Sequence, residues 1–293
     1  RIRLLCGGIC NTDLELKRGY YGFRGTPGHE FVGEVMEAGT RSLIGRRVVG
    51  EINLNCGNCA WCSKGIGRHC PKRTVLGIVR HPGAFSEVFT LPEGNLHVVP
   101  DEIPNEVAVF TEPLAAACEI LEQVRLPRGE RVAVLGDGKL GLLIAQVLIA
   151  HGSDVHHYGK HPDKLKISAA AGAEPRLVPK ARPAPAYGWV VDATGCAAGL
   201  RQAVAMTRPR GTVILKSTLH GTVGMDTAPV IVNEITLVGS RCGRFEPALR
   251  LLRSGKVRVN EMVSEVFPLW DAAQAFDHAA RQGVLKVLLT QAL

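Results

Sequence analysis

Aromatic residues are scarce in this chain of 293 residues, 5% of the total, with three Trp and four Tyr. The net charge is nonetheless +8. A nucleic-acid binder of that charge is expected to cluster Lys and Arg or to interleave a basic stripe with aromatics, and no such block is present. A general excess of surface charge, together with an anionic small-molecule cofactor, accounts for the balance better. Long apolar runs are lacking too. The most apolar stretch, Leu140 to Ala150, contains Gln146 and is too short to span a bilayer. No secretory signal is visible in the residues given, and a reducing cytoplasm is the expected compartment. The chain opens on Arg1-Ile2-Arg3-Leu4-Leu5, without Met and in the middle of a strand pattern, and reads as a trimmed start.

What the chain has in quantity is glycine (33), proline (17) and hydrophobic residues at 46%, enough for two cored domains rich in tight turns. The early part reads as short strands broken by Gly and Pro: Glu34–Met36, Arg47–Gly50, Phe85–Phe89 and Leu96–Pro100. Frequent turns between short apolar runs predict a compact, barrel-like β domain. The middle changes character. Arg131–Leu135, Asp154–Tyr158, Trp189–Thr194, Gly211–Leu215 and Ile235–Gly239 alternate with helical stretches such as Leu142–Ala150 and Pro162–Ala171. That alternation predicts an α/β doubly wound parallel sheet. The Pro-rich connection Pro179–Pro185 cannot be a regular helix. Domain bounds of 1–115, 116–245 and 246–293 follow. The last segment holds a helix near Pro247–Leu252, a helical stretch Leu269–Ala280 and a strand Val284–Leu289.

Nine cysteines in a reducing compartment argue for metal, above all because four of them cluster. Cys56, Cys59, Cys62 and Cys70 form a C-x2-C-x2-C-x7-C pattern. Four thiolates complete zinc's tetrahedral shell and leave no open position, so the site is structural. A second set lies earlier: Cys10, Thr12 and Asp13, then His29 and Glu30. Cys and His suit zinc, and a catalytic site stops at three protein ligands so that substrate can take the fourth. Alone, Cys10 is read as a small buried hydrophobe and His29 as a turn residue. Together they make a candidate centre, with the Thr12 hydroxyl placed for a proton relay. Glu112, in the helix Thr111–Leu121 with Pro113 in its first turn, is either an acid favoured by the helix dipole or a ligand or water-holder for the same metal.

The third signal is Gly136-Asp137-Gly138-Lys139-Leu140-Gly141, between the strand Arg131–Leu135 and a helix. A lone G-x-G-x-x-G is weak, but strand before and helix after is the context that phosphate binding needs. Gly136 makes the turn, Gly138 lets the pyrophosphate approach the backbone, and Gly141 packs helix on strand. The phosphates meet the helix N-terminus at Lys139 and Leu140. Thr194, ending a later strand, is a further cofactor candidate.

Gly28-His29-Glu30-x-x-Gly33-x5-Gly39-x-x-Ser42 resembles the zinc-containing alcohol dehydrogenase signature of the medium-chain dehydrogenase/reductase superfamily. The resemblance covers essentially the whole chain, with several motifs in the family's order. It implies a GroES-like β-barrel catalytic domain, a Rossmann cofactor domain inserted in it, and an active site in the cleft between. The cysteine spacing matches the family's structural zinc lobe, and Glu112-Pro113 resembles the sorbitol, glucose and threonine dehydrogenase side. By this resemblance the protein transfers hydride between an alcohol, polyol or sugar and NAD(P), with one catalytic and one structural zinc. Cys10 and His29 would hold the catalytic ion, with Glu30 or Glu112 as third ligand. Asp13 would fix the His29 tautomer, and Thr12 would carry off the hydroxyl proton. Many relatives place His three residues after the Thr; here it is Glu15, so the proton exit differs and runs through the cofactor ribose or water. A homo-oligomer, dimer or tetramer, is expected.

Cofactor choice is read from the end of the second strand of the Rossmann domain, where NAD enzymes carry an acid for the ribose. That position is Gly159, followed by Lys160 and His161. A missing carboxylate with cations beside it favours NADP over NAD, although an ordinary turn would look similar. The alternative function is a zinc- and dinucleotide-binding sensor or structural subunit without turnover. Both candidate zinc sets oppose a zinc-free quinone-reductase-like enzyme.

Overall fold

A computed structural model describes residues 1–19, 22–178, 184–217 and 222–291. Residues 179–183 of the Pro-rich connection lie outside that description. The chain divides into two compact units. One comprises Arg1–Ala115, Arg244–Ser254 and Val259–Leu293; the other comprises Ala116–Gly243 and Gly255–Arg258.

In chain order the first unit starts with β1 (Ile2–Ile9), α1 (Asn11–Lys17), β2 (Glu30–Val35) and β3 (Arg47–Gly50). Then come β4 (Asn53–Leu54), α2 (Ala60–Ser63), β5 (Thr74–Leu76), β6 (Arg80–His81), β7 (Val88–Phe89) and β8 (Leu96–Val98). Two helices follow, α3 (Asn105–Ala108) and α4 (Thr111–Gln123). The second unit carries β9 (Arg131–Leu135), α5 (Lys139–His151), β10 (Asp154–Gly159), α6 (Pro162–Ala170) and β11 (Glu174–Leu177). It continues with β12 (Tyr187–Asp192), α7 (Ala197–Met206), β13 (Thr207–Leu215), α8 (Ala228–Val232) and β14 (Thr236–Gly239). The tail adds α9 (Phe245–Arg253), β15 (Val263–Pro268), α10 (Ala272–Ala279) and β16 (Lys286–Thr290).

The first unit is built on a sheet ordered β15-β16-β1-β2-β3-β8, with β7 also paired to β1. Strand β1 runs antiparallel to both β16 and β2, with Ile9 opposite Val287 and Gly8 opposite Glu30. Its core gathers Ile9, Leu14, Phe85, Phe276, Val287 and Leu289. Residues close to the chain's end are thereby fixed beside residues close to its start. The cysteine segment projects between β4 and β5, two strands of a small separate sheet.

The second unit holds the expected parallel sheet, ordered β11-β10-β9-β12-β13-β14 with every pairing parallel. Counted within the unit, that is third, second, first, fourth, fifth, sixth, the doubly wound order whose switch point lies between β9 and β12. Residues Val132 to Leu135 are at most 1% exposed, as strands covered on both faces require.

Some elements differ from expectation. Helix α5 begins at Lys139 rather than Leu142, because extended Gly138 caps it and its carbonyl accepts from Leu142 N. Thr111, a polar residue of the type that caps helices, does not cap α4 from outside. It lies in the helix, and its hydroxyl donates to the Ala108 carbonyl at 2.6 Å, where α3 leads in. Phe85 packs inward and leaves only Val88–Phe89 as strand. The stretch from Leu269 splits into a 3-10 turn, Leu269–Asp271, and α10. Among the described residues no helix is long and apolar enough to cross a membrane.

Candidate metal centres and cofactor loop

The four cysteines meet as the spacing predicts. Sulfur separations are 3.5 Å for Cys59–Cys62, 3.7 Å for Cys59–Cys70, 3.5 Å for Cys70–Cys56 and 4.0 Å for Cys56–Cys62. A tetrahedron with zinc–sulfur bonds of about 2.3 Å has edges of about 3.8 Å, so the cage fits that ion. The chain supplies the geometry locally: Cys59 caps α2, and Cys70 closes the 3-10 turn Gly67–His69. The backbone N–H of Cys62 leads the interactions that bring the Cys59 thiol down to about 6, while burial leads those that push the neighbouring Cys62 thiol up to about 11; thiolate is the form that binds metal.

The second centre is assembled from distant segments. Cys10 is the N-cap of α1, and its backbone N–H donates to Asp13 Oδ2 at 2.8 Å. Asp13 is fully buried, and its Oδ1 also accepts from Gly28 N at 3.2 Å and from His29 Nδ1 at 3.1 Å. One carboxylate thus ties the start of α1 to the turn leading into β2. That turn needs glycine: Gly28 has φ +106°, and a Cβ there would lie 2.5 Å from the Phe85 ring. With Nδ1 donating to Asp13, Nε2 of His29 keeps its lone pair for a metal. In the metal-free site burial opposes the charged imidazolium, but Asp13 more than offsets it and holds the His29 pKa well above its usual value, so a metal takes the Nε2 lone pair by displacing a proton. Thr12 Oγ1 lies 3.8 Å from Cys10 Sγ.

Ligand atoms of Cys10, His29 and Glu30 lie within 4.8 Å of one another. Glu112 is half-buried in the first turn of α4 and is not in that group. Glu30 brings a partner that pattern reading missed. Lys286, 1% exposed, donates to Glu30 Oε2 and reaches the Ile9 carbonyl at 3.5 Å. Burial works against the ammonium, yet Glu30, with Cys10 and Asp13, raises the Lys286 pKa. The available signal was one lysine inside the apolar strand Val284–Leu289. Gly8 makes room for the pair, since a Cβ there would sit 2.6 Å from Glu30 Oε2. The other oxygen, Glu30 Oε1, is buried with no hydrogen-bond partner. A buried acceptor left so is costly unless something else satisfies it, and a cation shared with Cys10 and His29 would.

In the second unit the glycine loop follows β9 at the sheet's switch point. A Cβ on Gly136 would meet the Ala193 carbonyl at 2.6 Å, so the loops after β9 and β12 abut there. A Cβ on Gly141 would fall 1.8 Å from the Gly136 carbonyl, which makes glycine obligatory where α5 crosses the loop. Gly138, by contrast, faces open space, the cradle a pyrophosphate needs beside Lys139 and Leu140. Buried His157 steadies the loop from β10 through Nε2 to the Gly136 carbonyl at 2.9 Å and Nδ1 to Ser168 Oγ at 2.8 Å. Thr194 turns its hydroxyl onto Asp192 Oδ1 at 2.7 Å, within the turn before α7. At Gly159 the expectation of no carboxylate needs correction. The residue has none, but Asp137 Oδ2 occupies the turn, accepting from Lys160 N and His161 N at 2.7 Å each and from His161 Nδ1 at 3.0 Å.

Residues 1–101 match the alcohol dehydrogenase GroES-like domain, and residues 140–254 match the zinc-binding dehydrogenase domain. The sorbitol dehydrogenase of Halalkalibacterium halodurans is 30% identical, across 99% of this chain and 91% of that protein. The chain belongs to the zinc-dependent alcohol dehydrogenase family. Its two α/β units are therefore the family's GroES-like and Rossmann folds. Among other members of the family, the D-arabitol-phosphate dehydrogenase of Enterococcus avium is 27% identical over 98% of this chain and 88% of its own. A solved zinc-binding dehydrogenase of Sinorhizobium meliloti 1021, bound to NADP, superposes with a TM-score of 0.89 at 26% identity, covering 99% of this chain and 91% of that one.

Proposed function

We propose that the protein transfers hydride between an alcohol of polyol or sugar type and a nicotinamide dinucleotide, its reacting centre being the Cys10, His29 and Glu30 group. The observation that carries this reading is the gathering of one ligand atom each from Cys10, His29 and Glu30 within 4.8 Å of one another, Glu30 having one buried oxygen without a hydrogen-bond partner. The sorbitol and arabitol-phosphate activities named for two relatives point to the substrate class.

Zinc, when bound, supplies Lewis acidity that lowers the pKa of a substrate hydroxyl towards neutrality. Cys10 and His29 would hold it, with Glu30 or Glu112 as the third ligand. Asp13 keeps the His29 lone pair on Nε2. Thr12 would accept the hydroxyl proton and pass it on through water or the cofactor ribose, with Glu15 where many relatives have His. Lys286 holds Glu30 in place and balances its charge. A second zinc in the Cys56, Cys59, Cys62 and Cys70 cage is structural.

The first unit (1–115, 244–254 and 259–293) serves as the catalytic domain and the second (116–243 and 255–258) as the cofactor domain, close to the expected bounds of 1–115, 116–245 and 246–293. Gly136, Gly138 and Gly141 shape the pyrophosphate cradle. Gly159, with Lys160 and His161 beside it, favours NADP, whereas the Asp137 carboxylate seated in the same turn opposes that preference. A homo-oligomer, dimer or tetramer, fits the exposure of Ile231, Val232 and Leu237 at α8 and the terminal strand β14.

The test is a panel of polyols, sugar acids and simple alcohols with NAD and with NADP, followed by nicotinamide absorbance. Turnover with at least one polyol is expected. Folded, zinc-loaded protein that reduces neither cofactor with any of them overturns the proposal. Glu112→Ala tests the rival carboxylate: loss of the catalytic zinc makes Glu112 a ligand, and slowed turnover with zinc retained makes it a water-holder or helix-cap acid.

A further inference from the structure

The turn after β10 has no acidic residue of its own, yet it contains a carboxylate. Strands β9 and β10 run parallel with Leu135 opposite Tyr158, so the glycine loop and the Gly159–His161 turn leave the sheet side by side. Asp137, the second residue of the loop, leans across. A Cβ placed on Gly159 would lie 2.6 Å from both Asp137 Cβ and Oδ2. The space that a side chain at 159 would fill is therefore taken by the side chain of residue 137. Glycine at 159 is what admits it.

Three hydrogen bonds hold the carboxylate there, all to Oδ2: Lys160 N, His161 N and His161 Nδ1. Asp137 is 9% exposed. Burial resists its charge, but the donors of His161 and Lys160 outweigh burial and lower its pKa, so it is ionised at neutral pH. Two consequences follow for a ligand. A fixed negative charge stands at the strand end where a Rossmann domain reads the adenosine ribose, with Oδ1 left to accept a hydroxyl. The two backbone N–H groups entering α6, which would otherwise receive a phosphate, are already filled.

We infer that Asp137 is the residue that selects the cofactor, taking the ribose 2′-hydroxyl of NAD and opposing the 2′-phosphate of NADP in spite of Lys160 and His161. This rests on the proposal that the second unit binds a nicotinamide dinucleotide. Lys160, exposed beside the turn, and His161, engaged by Asp137, do not outweigh a carboxylate held inside it.

Binding, not turnover, is the measurement: titration of the zinc-loaded protein with NADH and with NADPH, followed by nicotinamide fluorescence or calorimetry. Wild type should bind NADH at least about tenfold more tightly than NADPH, the least expected of one like-charge contact in a partly buried turn. Asp137→Asn removes the charge and keeps the shape, and should narrow that ratio about tenfold or more, chiefly by tightening NADPH. Gly159→Ala leaves every charge in place but pushes the carboxylate out of its seat, and should narrow the ratio in the same direction. The second variant decides the matter if the first does not fold. Tighter binding of NADPH by wild type, or an unchanged ratio in the folded variants, overturns the role of Asp137 alone. Failure of folded wild type to bind either nucleotide overturns the cofactor reading, and this inference with it.

Discussion

The two candidate metal centres of the first unit are made in opposite ways. The cysteine cage draws all its donors from Cys56 to Cys70, one loop whose sulfurs lie 3.5–4.0 Å apart while most of its cysteines remain half-exposed. The Cys10 centre draws its members from the start of α1, the turn before β2, and β16, and buries His29, Glu30 and Lys286 almost completely. A local loop needs only its own turns and an ion to close. The second centre exists only once the sheet has brought Gly8 opposite Glu30 and Ile9 opposite Val287. The cage has four strong ligands and no vacancy, so it is suited to structure. The other has fewer ligands and a hydroxyl at its side, so it is suited to chemistry.

Substitution can break this contrast at either end. The largest effect is expected from Cys10→Ala or His29→Ala. Each removes Lewis-acid help worth several kcal/mol, so turnover should fall roughly a thousandfold or more. Cofactor affinity should remain nearly intact, and metal analysis should still find the cage ion. Normal turnover in folded His29→Ala would refute the assignment of that centre.

Lys286→Met comes next. In protein stripped of the metal at Cys10 it leaves the Glu30 carboxylate buried without a countercharge, and breaking a buried pair from one side costs about 3–5 kcal/mol. Denaturant unfolding should show that loss, with Lys286→Arg recovering most of it. A Lys286→Met protein as stable as wild type would show that the ammonium does not carry the pair. The smallest effect on chemistry is expected from Cys59→Ser. Loss of a cage ligand should release that metal and loosen the loop, lowering the melting temperature, while turnover per remaining catalytic zinc stays close to wild type. A Cys59→Ser protein that keeps both metals would remove the distinction between a closed cage and an open centre.

Much of this was readable from residues in a row. The cysteine spacing, the glycine loop between strand and helix, and the alternation along residues 131–239 are short-range patterns, and local backbone geometry acts over such ranges. The Cys10–Asp13 and Gly28–Glu30 pairing was readable through family resemblance. Lys286 was not, because its partner lies 256 residues away in sequence and nothing local marks it except its charge in an apolar strand. Asp137 was visible as a letter in the glycine motif, but its target was not. Pattern reading looked for an acid along β10, whereas the carboxylate arrives sideways from the neighbouring loop.

The sequence by itself determined the class of both units, the close gathering of the four cysteines and the position of the glycine loop between β9 and α5. These depend on periodicity, turn residues and close spacing, whose physics is local. Only the tertiary structure showed that Glu30 gathers with Cys10 and His29, that Lys286 pairs with it, and what charge sits beside Gly159. Such choices depend on strand register, on the burial that makes an unpaired charge costly, and on the room that glycine leaves. Those quantities come into being only when distant segments are packed together.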